Sequence, residues 1–192
     1  AHARATLSQL RRLDASSYSL WMSIGNQLFT GWPEQILGTP DESSKALIAV
    51  KTALQLYAYH QQSETTPMDV IIDGDTEDER RKQRLRGAFG RVCRRINPDL
   101  DTSVGVRRRL GSVESASDFD GVKRNIRALI LLLKSSKQTN AQDYQIDYRA
   151  LSENLYRLQF DSTRDSVFLR WGGEYFAAPL VPENNAATTT KK

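Results

Sequence analysis

Apolar side chains recur at three- and four-residue intervals along almost the whole chain. Leu20, Trp21, Ile24 and Leu28 form one stripe. Ala46, Leu47, Val50, Ala53, Leu54, Tyr57 and Ala58 form a second, which follows Pro40 and closes near His60. Leu85, Ala88, Phe89, Val92 and Ile96 give a third, stopped by Asn97-Pro98. Phe119, Val122, Ile126, Leu129, Ile130 and Leu133 give a fourth, with Ser117 and Asp120 spaced as a capping box at its start. Tyr148, Leu151, Leu155 and Leu158 give a fifth behind Asp147 as N-cap. Val167, Trp171 and Tyr175 give a sixth that ends before Pro179. Shorter helices are expected over Ala3–Leu13 and Thr102–Val113. Residues three or four apart share one face of an α-helix, whereas a half-buried strand alternates every second residue. No alternating run persists, so the pattern predicts an all-α protein: a helical bundle, as one body or as two small helical units.

Two stretches break the periodicity. Residues 63–79 are too long and acidic for an ordinary connection inside a compact domain, and are expected to form a mobile loop. Met68, Val70, Ile71 and Ile72 within it make an apolar patch able to pack locally. The end of the chain, 181–192, is small and polar and reads as a disordered tail. The expected organisation is an N-terminal helical unit (1–62), the acidic loop (63–79), a basic helical unit (80–180) and the tail.

Charge changes this picture more than bulk composition does. The formal net charge of +4 conceals segregation. Residues 64–79 carry seven acids and no base, while residues 80–137 carry sixteen Lys or Arg against five acids. Arginines outnumber lysines by 19 to 8. A guanidinium donates two parallel hydrogen bonds to a phosphate, which an ammonium cannot do. The bias therefore points to a polyanionic partner. On a helical wheel Arg80, Arg84, Arg91 and Arg95 share one flank of the third stripe, read as a single helix. Gly87 and Gly90 fall on its exposed side, where they either admit a sugar-phosphate backbone or only loosen the helix. Lys123, Arg127 and Lys134 border the fourth stripe. Arg107-Arg108-Arg109 spread around their helix, so at least one packs its stem on the core edge or pairs locally.

Catalytic chemistry has few candidates. One cysteine, Cys93, and two histidines, His2 and His60, do not make a structural zinc site. Cys93 reads as a core-edge thiol, and His60 as a helix-terminal imidazole facing the dipole. There is no phosphate-binding glycine loop, and Gly172-Gly173 lacks the context of one. Trp21, Phe89, Trp171 and Tyr175 lie on apolar faces, so they are expected in the core rather than stacked on bases. The longest apolar run, Ala128–Leu133, is six residues, where a membrane span needs about 20. The expectation is a cytoplasmic, non-enzymatic protein without metal, cofactor or membrane contact.

Ala3-Arg4-Ala5 through Leu10-Arg11-Arg12, the run Ala53-Leu54-Gln55-Leu56-Tyr57-Ala58-Tyr59-His60-Gln61-Gln62, and Val167-Phe168-Leu169-Arg170-Trp171-Gly172-Gly173-Glu174-Tyr175-Phe176 together resemble the small subunit of the type I-E CRISPR Cascade complex. The resemblance spans about residues 3–178. It implies a helical, non-catalytic subunit, present as two copies lining the belly of an RNA-guided surveillance complex. It also implies contact with single- and double-stranded DNA and guide RNA without sequence preference, and docking to other Cascade subunits and to a second copy. In RNA-guided recognition, base pairing reads the sequence while protein holds strands by their backbones. On this reading Arg84, Arg91, Arg107, Arg108, Arg109, Lys123, Arg127 and Arg170 are the expected phosphate contacts. Two rival readings are a helix-turn-helix regulator and a scaffold whose basic face meets an acidic partner or its own 64–79 loop.

Overall fold

A computed structural model describes residues 2–12, 21–39, 44–136 and 140–177; the expected tail and the side chain of Trp21 lie outside the described residues. All ten helices there are α-helical, with no strand longer than an isolated bridge. They are α1 (His2–Arg11), α2 (Trp21–Phe29), α3 (Glu34–Leu37), α4 (Lys45–His60), α5 (Glu77–Gly87), α6 (Phe89–Ile96), α7 (Val104–Glu114), α8 (Phe119–Ser136), α9 (Tyr148–Arg157) and α10 (Asp161–Phe176). A 3-10 turn at Ala141–Tyr144 precedes α9. The all-α class read from periodicity is the class observed.

Local chemistry accounts for the helix starts. Ser44 accepts a hydrogen bond from the Leu47 amide and Asp147 one from Ala150, closing the first turns of α4 and α9. Thr76 and Glu79 form a reciprocal capping box at α5. At α8 the cap is Asp118, which accepts from the Gly121 amide at 2.6 Å, and not the expected Ser117–Asp120 pair. Asp118 lies three residues before that amide, the spacing a side-chain cap requires.

The main core is built where α8 meets its neighbours. Val122, Ile126, Leu129, Ile130 and Leu133 are buried against α4, α6 and α7. Trp171 and Tyr175 of α10 are buried with Phe89, whose ring centroid is 4.7 Å from that of Trp171. A smaller cluster of Leu10, Ile24, Leu28, Leu47 and Ala58 joins α1 and α2 to α4.

The third stripe is not one helix. It breaks at Ala88 (φ −60°, ψ 130°), whose extended backbone ends α5 and starts α6. Its glycines face the protein, contrary to the exposed placement expected of them. A Cβ on Gly87 would meet Val70 at 2.5 Å and the Asp147 amide at 2.8 Å; one on Gly90 would collide with the Trp171 carbonyl. These glycines serve close internal packing, not the approach of a ligand. Inside the acidic stretch, Met68 and Val70 are buried and flank a parallel bridge between Asp69 and Ile146, with Val70 N–H donating to Ile146 O at 3.1 Å and Ile146 N–H to Met68 O at 3.0 Å. The Asp147 amide donates to Gly87 O at 2.9 Å, so residues 68–70, 87 and 146–147 are tied at one point.

Candidate nucleic-acid interface

The expected phosphate contacts separate into groups once their surroundings are known. Arg84 lies on α5, on the far side of the Ala88 break from Arg91. Its Nη1 donates to Glu77 at 2.9 Å, and Arg80 donates to the same carboxylate at 3.1 Å. Both guanidiniums hold the Glu77 carboxyl below the usual carboxylate range. Part of the acidic stretch thus neutralises the first arginines of the basic one.

The arginines of α6 are turned into the molecule. Arg95 donates to the carbonyls of Arg86 (2.9 Å) and Asp143 (2.5 Å), and burial lowers its pKa. Arg94 sits 5.8 Å from the Tyr175 ring centroid. Arg91 and Arg170 flank Glu174, whose carboxylate accepts from the Gly90 amide at 2.9 Å. Burial raises the Glu174 pKa against the lowering effect of that amide and both arginines. Arg170 itself is exposed and donates to Asn154 Oδ1 at 3.3 Å. Arg91 and Arg170 are therefore brought together, around a carboxylate.

On α7 the three consecutive arginines diverge as helical geometry requires. Arg107 is half-buried and donates to the Leu100 carbonyl. Arg108 and Arg109 are exposed, and neither side chain makes an ion pair or hydrogen bond among the described residues.

The seam between α4 and α8 gathers the remaining cations. The two helices run in the same direction: Lys51 acts electrostatically on Asp120, Arg127 stacks on Tyr59, and Lys134 donates to the carbonyls of Tyr59 (3.0 Å) and Gln62 (2.5 Å). Lys123 Nζ pairs with Asp120 at 2.6 Å, and this pairing, with Arg124 and Lys51 nearby, keeps the Asp120 carboxyl below its usual range. The Arg127 guanidinium is exposed yet held 3.9 Å above the Tyr59 ring centroid. Tyr59 is fixed in turn by donating its hydroxyl to the Arg11 carbonyl at 2.8 Å. The seam therefore places Lys123 and Arg127 together and adds Lys51, Lys134 and Tyr59. Lys51 and Tyr59 were not expected in the site, because only the docking of α4 beside α8 puts them there.

Among the described residues no cluster of His, Cys, Asp and Glu could hold a metal ion. Cys93 is fully buried, and desolvation raises its thiol pKa far out of the reactive range. His60, expected to face the helix dipole, is buried instead; its Nδ1 shares a 3.0 Å hydrogen bond with the Tyr148 hydroxyl. No described helix is long and apolar enough to cross a membrane.

Comparison with known proteins matches residues 6–176 to the family model of CRISPR-associated protein Cse2. The crystal structure of CasB from Thermobifida fusca superposes with a TM-score of 0.63 at 23% sequence identity, covering 91% of this chain and 85% of that one. Sequence comparison with curated proteins gives no match. The structural likeness supports the fold, and the family match spans all ten helices apart from the start of α1.

Proposed function

Because this chain belongs to the Cse2 family of CRISPR-associated proteins, Cascade subunits in CRISPR defence, we propose that it is a non-catalytic subunit holding nucleic acid by its phosphates. The observation that carries this reading is the set of exposed cations on α7 and α8. Arg108 and Arg109 on α7, and Arg127 on α8 with Lys123 and Lys134 on the same helix face, reach solvent, and none of the three arginines has a carboxylate partner among the described residues. Guanidiniums carried on well-packed helices have their backbone already fixed, so binding a polyanion orders side chains without also ordering the chain that carries them. Contacts of this kind do not read bases, so affinity is non-specific and falls steeply with salt. DNA and guide RNA are the ligands such a set of cations suits. Other Cascade subunits and a second copy are its expected neighbours, in the cytoplasm. The helix-turn-helix reading is weaker, because α6 directs Arg94 and Arg95 at its own protein and offers no recognition face.

Replacing Arg107, Arg108, Arg109 and Arg127 by Ala tests the proposal with fluorescent oligonucleotides of random sequence. Binding should weaken equally for all sequences, and the slope of log affinity against log salt should flatten by about one per lost phosphate contact. Undiminished binding at matched salt, with helical circular dichroism retained, would place the interface elsewhere.

A further inference from the structure

The cationic seam occupies one side of α4, and the opposite side borders a concavity of different chemistry. Val50, Leu54 and Tyr57 of α4, Asp69 of the bridged segment, and Tyr148 and Arg149 of α9 line an open notch of about 390 Å³. At about 100° per residue, Leu54 and Tyr57 stay within about 40° of Val50 around the helix. On the same count Lys51 and Tyr59 lie about 100° and 180° away. One ligand face cannot serve both surfaces.

The walls of the notch are half-buried aliphatic side chains and two tyrosine rings packed edge to face at 5.3 Å. At one end stands Asp69. Its carboxylate accepts from the Tyr148 amide at 3.0 Å, yet meets no cation within ion-pair distance among the described residues. Arg149 lines the same notch without pairing with it. Burial and the neighbouring Asp147 carboxylate raise the Asp69 pKa, and Asp69 in turn helps raise that of Tyr57. A partly desolvated carboxylate without a counter-ion is destabilising, and an incoming cation relieves that cost. The Tyr57 hydroxyl also makes no hydrogen bond among the described residues, and supplies a second acceptor.

We propose that this notch receives an arginine side chain of a partner protein, its guanidinium on Asp69 and its stem along Val50 and Leu54. Arginine fits better than lysine because its planar, weakly hydrated head stacks on tyrosine while donating to two acceptors. Nucleic acid is disfavoured there, since phosphate would meet an uncompensated carboxylate. The proposal goes beyond the nucleic-acid reading and does not depend on it.

The test titrates the full chain with N-acetyl-arginine methylamide, following the Tyr57 and Tyr148 ring resonances. The uncharged citrulline analogue and free L-arginine serve as controls. Saturable shifts are expected with the blocked arginine and not with citrulline. Asp69→Asn, which keeps an oxygen acceptor for the Tyr148 amide, should weaken binding by about tenfold or more. Equal shifts with citrulline, or unchanged binding in Asp69→Asn, would overturn the proposal. Tighter binding of free L-arginine would mark a small-molecule site and overturn the assignment to a partner protein. Should Asp69→Asn fail to fold, Leu54→Trp fills the notch without touching the carboxylate; retained binding there would be equally fatal. Oligonucleotide affinity, measured in parallel, reports on the cations of α7 and α8 alone, so the two readings fail in separate assays.

Discussion

The stretch from Arg80 to Arg95 and the paired helices α7 and α8 both carry dense positive charge, and the fold uses them differently. In the first, Glu77 takes Arg80 and Arg84, two main-chain carbonyls take Arg95, and a tyrosine ring takes Arg94. In the second, Arg108, Arg109 and Arg127 remain exposed on helices anchored in the core by Val106 and Val113 and by the buried stripe of α8. Guanidinium is the most versatile internal donor a protein has. A high count of arginines is therefore no measure of the charge left for a partner; what matters is how many main-chain carbonyls and carboxylates lie within reach.

The sharpest way to break this contrast is to disturb α6 where it lies closest to α10. Gly90→Ala places a methyl group against the Trp171 carbonyl and the Glu174 side chain, and should destabilise the fold by about 3 kcal/mol. A parental urea midpoint would show that α6 is not so tightly seated. Next comes Arg95→Ala, which removes two hydrogen bonds from a charged, largely buried donor. It should cost about 2 kcal/mol of stability and leave the oligonucleotide affinity of the folded protein unchanged. The opposite outcome, parental stability with lost affinity, would invert the assignment of the two regions.

A matched pair sharpens the comparison at the surface. Arg109→Ala should lower the salt slope by about one and move stability by less than about 0.5 kcal/mol. Arg84→Ala, whose partner is already Glu77, should leave the slope at its parental value. Equal losses from both would mean that intramolecular pairing does not withhold a guanidinium from phosphate. The smallest effect is expected from pH. Burial holds the folded-state pKa of Glu174 above its unfolded value, so the folded protein keeps that proton longer. Its stabilising effect is complete below the unfolded value and is lost as pH rises through the folded one. Glu174→Gln retains an acceptor for the Gly90 amide and should flatten this dependence. An unaltered profile of stability against pH would exclude Glu174 as its source.

Helix content was legible in the sequence because apolar periodicity is a local property. The buried stripe of α8 and the Asp147 cap follow from spacing alone. The Ala88 break did not, since Leu85, Ala88, Phe89, Val92 and Ile96 keep the helical period across it. Glycine is similarly mute. The missing Cβ of Gly87 and Gly90 announces a close approach but not what approaches, and here it is the chain itself. The site shows the same boundary. Arg108 and Arg109 could be picked from charge density, and the diversion of one member of their triplet from helical geometry. The role of Tyr59 depends on which helix lies beside α4, a tertiary fact that no local pattern contains.

The opposed faces of α4 carry a mechanical consequence. Tyr57 beside the notch and Tyr59 under Arg127 are two residues apart on one rigid rod, so their relative azimuth and height are set by helical pitch rather than by any hinge. Whatever seats against the first is thereby indexed, to within a side chain's width, to whatever lies along the second. Alignment between neighbours on the two sides needs no moving part.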